Sequence, residues 1–128
     1  MKTNQKNIPD FWGDCVIKSN LQLEKISQIL SVKLFGGAPF TYGKYSIWEE
    51  IPSMYIEDNI LGMLIIIGGY GGEKGYVLNV QPYGDFGRYL YDNKIKTERI
   101  NLDFYLYYLL KGGLKDYPEI EIIEPENI

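Results

Sequence analysis

The chain has 128 residues and a net charge of −4, with 45% hydrophobic and 23% charged residues, no histidine and one cysteine. That length suits one domain with its own core, and the balance excludes a disordered chain. Without histidine no Ser-His or Cys-His nucleophile can form, and a lone Cys15 excludes an internal disulfide or a thiolate zinc site.

Residues 1–10 are polar, lack the apolar run of a signal peptide, and are expected to fray. No apolar stretch approaches the ~20 residues that cross a bilayer, so the expected compartment is the cytoplasm and no membrane partner is expected. A short strand is expected at 14–18, with Cys15 as a small core residue. Ser19 and Gln22 have capping-box spacing. Leu23, Ile26, Ile29, Leu30 and Leu34 then follow at helical spacing, with Glu24, Lys25, Gln28 and Lys33 on the other face. The helix should stop near Phe35, before Gly36-Gly37 and Pro39.

Residues 36–46 read as a loop rich in glycine and aromatics. Strands are expected at 47–52 and 54–58, broken by Pro52. The run 60–67 reads as a doubly buried strand, 68–75 as a long flexible turn and 76–81 as the returning strand. Residues 86–91 look like another strand and 94–99 like a short one. Asn101 is expected to cap a second helix over 102–110, apolar almost all round and therefore well buried, with Gly112-Gly113 ending it. A last short strand is expected at 120–123. Together these elements give an α+β fold: a mostly antiparallel sheet of about five to six strands with two main helices packed on one side. One globular domain is expected over 1–128, with 125–128 frayed like the start.

The glycine run GGYGGEKGY invites a phosphate-loop reading and does not satisfy it. Lys74 is followed by Gly75 where a P-loop needs Ser or Thr, a dinucleotide fingerprint fails because Gly69 and Gly71 are followed by Lys74 where its third glycine should be, and both motifs need a helix after them, whereas YVLNV reads as a strand. No cofactor and no metal site are expected. Adjacent carboxylates at Glu49/Glu50 and Glu57/Asp58 point to opposite faces of a strand, so neither pair converges on one substrate atom. The acids after Lys115 read as the solvated edge of a strand. The expectation is a protein that is not an enzyme, although converging carboxylates and tyrosines in a pocket would make it one.

More suggestive is the mixture of aromatics and acids between Tyr42 and Asp58. Trp and Tyr concentrate at binding hot spots, and surrounding acids steer a basic partner. The candidate partner-binding residues are Tyr42, Tyr45, Trp48, Glu49, Glu50, Glu57 and Asp58, with Tyr70 at the hairpin tip as a further contact. The plainer reading, preferred for Trp48, is that Trp48 and Tyr55 are core residues and the acids simply exposed. The acidic balance argues against direct nucleic-acid binding.

In overall style the chain resembles the immunity proteins of bacterial polymorphic-toxin and contact-dependent growth inhibition systems. The resemblance rests on LFGGAPFTYGKYSIWEEIPSMYIED leading into ILGMLIIIGGYGGEKGYVLNVQPY, then FGRYLYDN and a capped C-terminal helix. It spans most of the chain and contains no invariant catalytic motif. It implies a cytoplasmic protein that binds the C-terminal domain of a cognate toxin and occludes its active site. Many such toxins are nucleases with basic clefts, so the implied partner is a basic domain, expected to be a nuclease. The alternative is a small adaptor or regulatory module with no linked toxin gene. A monomer or a weak dimer is compatible with either.

Overall fold

The computed structural model describes residues 7–42, 51–58 and 60–126. The elements in chain order are β1 (Ile8–Ser19), α1 (Leu23–Leu34), β2 (Phe40–Thr41), β3 (Ser53–Ile56), β4 (Met63–Pro82), α2 (Gly84–Asp92), β5 (Thr97–Asn101), α3 (Asp103–Gly113) and β6 (Glu121–Ile122).

β4 doubles back on itself. The Tyr83 N–H donates to the Gly62 carbonyl at 2.7 Å. A Cβ placed on Gly69 would lie 2.5 Å from the Gly75 oxygen, although a straight strand would hold those residues ~20 Å apart. The first arm pairs with β3, from Ser53↔Gly68 to Tyr55↔Ile66, and the second pairs with β1, from Gly13↔Val80 to Ile17↔Tyr76. The sheet order is β2-β3-β4-β1-β5, and β6 joins the outer edge of β1 beyond β5. All the pairings between strands are antiparallel except β1 with β5, which is parallel. The fold class is α+β, as the sequence predicts.

α1 and α3 cover the same face of this sheet. Leu23, Ile26, Ile29 and Leu30 of α1 and Leu106, Tyr107 and Leu110 of α3 form one core cluster with Cys15, Ile17, Ile65, Ile67, Leu78 and Val80. Each fully buried Leu or Ile contributes roughly 1.5–3 kcal/mol. Gly13 lets α3 approach, since a Cβ there would lie 2.9 Å from that of Leu102. Buried Ser27 and Ser31 bind α1 to the far edge of the sheet: Ser27 Oγ donates to the Glu24 carbonyl and contacts Met54 Sδ, and Ser31 Oγ donates to the Ala38 carbonyl at 2.6 Å.

Several local expectations need correction. β1 begins at Ile8, because 8–12 pair with β5, so the expected fraying at 1–10 does not extend to Ile8–Asp10. The capping box does not form: Ser19 ends β1, its hydroxyl accepts the Leu21 N–H, and Gln22 caps α1 without a side-chain bond. Residues 86–91 are helical, not a strand. Tyr83 opens α2 in extended conformation, the Gly87 N–H donates to the Tyr83 carbonyl, and Asp85 sits in the first turn where the helix dipole favours it.

The second predicted helix is not buried all round: Tyr105 and Tyr108 are 64% and 66% exposed. Asn101 still acts at its start, accepting the Asp103 N–H at 2.8 Å, while the Asp103 carboxylate accepts the Asp14 N–H of β1. The turn at 68–75 has a conformation fixed by sterics. Gly71 and Gly75 have positive φ, and Cβ atoms there would lie 2.7 Å from the Tyr76 hydroxyl and the Ile17 carbonyl respectively.

Candidate functional site

Among the described residues β2 is an edge strand of the sheet, and two hydroxyl–carboxylate pairs straddle it. Phe40 and Ile56 are paired across β2 and β3 and point into the core. Thr41 therefore faces the side of the sheet away from α1 and α3, where its Oγ1 donates to Glu57 Oε1 at 2.9 Å. Tyr42, the next residue, returns to the helix side and donates its hydroxyl to Glu24 Oε2 in the first turn of α1. That bond holds the Glu24 carboxyl below its ordinary range and raises the Tyr42 hydroxyl above its own. Both groups stay wet, with Tyr42 51% exposed and Glu57 and Asp58 exposed beside it.

The predicted residues fall into two places. Tyr42 with Glu24 and Glu57 with Thr41 form two separate pairs on opposite faces of the β2–β3 edge, and Asp58 follows Glu57. Tyr70 belongs to the hairpin tip, where it lines a shallow apolar groove of about 340 Å³ with Ile51, Gly68, Lys74 and Val77. β3 runs between them: the Gly69 N–H bonds the Pro52 carbonyl at one end, and Glu57 follows the other end. Four residues of strand set Glu57 ~13 Å from the Pro52 end. Tyr45, Trp48, Glu49 and Glu50 lie outside the described residues. Tyr55 is half-buried and pairs with Ile66 on the side away from α1 and α3.

Glu24 and Thr41 were not among the predicted site residues. Glu24 reads in sequence as one of several solvent-facing charges on a helix, and only the return of β2 alongside α1 gives it a partner. The face away from α1 and α3 adds Arg99, whose guanidinium lies 4.1 Å from the Trp12 ring, and Asn79, whose amide donates to Asp14 at 2.7 Å.

Chemically, the corner offers fixed anions beside an aromatic ring. A general acid needs a carboxyl pushed up by burial, and Glu24 is pushed the other way. Among the described residues no three of Cys, Asp and Glu gather where a metal ion could be held. No described helix is long and apolar enough to cross a membrane. Comparison with known protein families, with curated proteins and with solved structures returns no match.

Proposed function

We propose that this protein binds and neutralises a basic toxin domain in the manner of an immunity protein, using the acidic β2–β3 corner to engage the cleft of that toxin. The observation that carries the reading is the pair of hydroxyl–carboxylate bonds on either side of β2. Glu24 and Glu57 are held by Tyr42 and Thr41, so little side-chain freedom is lost when a cation meets them. The lowered Glu24 carboxyl keeps its charge well below neutral pH. The net charge of −4 adds a long-range field of the sign that attracts a basic domain. Occlusion of a nuclease cleft needs no chemistry from the inhibitor, only shape and charge.

The test is co-purification of the full chain with the product of the gene immediately upstream, followed by light scattering of the complex. The expected result is a 1:1 assembly that abolishes the toxic activity of that product. If that product neither binds nor is toxic, the reading is wrong and the adaptor alternative takes its place.

A further inference from the structure

We draw no further inference here: the strongest candidate, the apolar groove of about 340 Å³ at the hairpin tip between Ile51, Tyr70, Lys74 and Val77, carries nothing, because nothing in the structure shows what covers it.

Discussion

Replacing Gly75 by alanine should damage the protein far more than the same change at Gly72, three residues earlier in the same glycine run. Both have positive φ, +74° at Gly75 and +60° at Gly72, so both alanines carry a left-handed cost of ~1–2 kcal/mol. Reduced freedom of the unfolded chain offsets ~0.4–1 kcal/mol of that at each position. The surroundings then separate them. At Gly72 a Cβ meets nothing within 4 Å, whereas at Gly75 it would sit 2.7 Å from the Ile17 carbonyl oxygen of β1. Ile17 is wholly buried and paired with Tyr76, so that backbone can move only by disturbing the centre of the sheet. Overpacking of this kind costs a further ~1–3 kcal/mol. The expected losses are therefore about 0.5–1 kcal/mol for Gly72→Ala and about 2–4 kcal/mol for Gly75→Ala. Urea unfolding followed by tryptophan fluorescence would show a midpoint lower by about 1–2 M for Gly75→Ala. Equal losses, or a Gly75→Ala variant within ~0.5 kcal/mol of wild type, would refute the steric account of the hairpin tip.

Three further outcomes are expected. Burial, helped by the charges of Asp103 and Asp14, pushes the Cys15 thiol from 9.0 up to about 11. A raised thiol contributes stability that is complete below pH 9 and is lost as pH rises toward 11, so stability should drop by about 2–3 kcal/mol across that window. Native Cys15 should also resist alkylation at pH 8 until the chain is unfolded, and Cys15→Ala should lessen the alkaline loss, leaving the part that the raised Tyr42 and Tyr76 hydroxyls contribute. Tyr42→Phe removes the hydroxyl donor to Glu24, so the Glu24 carboxyl, followed by NMR titration, should rise toward its ordinary range; no movement would show the bond absent in solution. Leu61→Gly should raise the stability of the protein by ~1 kcal/mol in urea, because φ is +52° at this turn residue, and a loss of stability would contradict that reading of the turn.

What could be read from the sequence is what leaves a periodic trace. α1 was legible because Leu23, Ile26, Ile29 and Leu30 all enter one core, and a long one-sided stripe has a single interpretation. The hairpin was legible because its arms are buried and its turn is glycine-rich. α2 was not: it is nine residues long and contains Gly84 and Gly87, and its stripe of Phe86, Tyr89 and Leu90 spans only about one turn, too little to distinguish a helix from a short aromatic strand. The first half of β1 was missed because it pairs in parallel with β5, a partner about 90 residues away that follows a crossover through α2. The exposure of Tyr105 and Tyr108 was equally hidden, since nothing in their side chains tells a packed tyrosine from a wet one. At the candidate site the aromatic and acidic composition was visible, but not its arrangement. Tyr42 and Glu57 were named for what they are, whereas Glu24 and Thr41 matter for where the fold puts them.

The most direct test of the central claim is the association rate of the full chain with the domain encoded upstream, measured by stopped-flow fluorescence at several salt concentrations. An acidic corner that captures a basic cleft predicts a rate that falls steeply with salt. It also predicts that Glu57→Lys with Asp58→Lys slows association about tenfold at low salt while leaving the melting temperature unchanged. A rate indifferent to both salt and charge reversal would contradict the account.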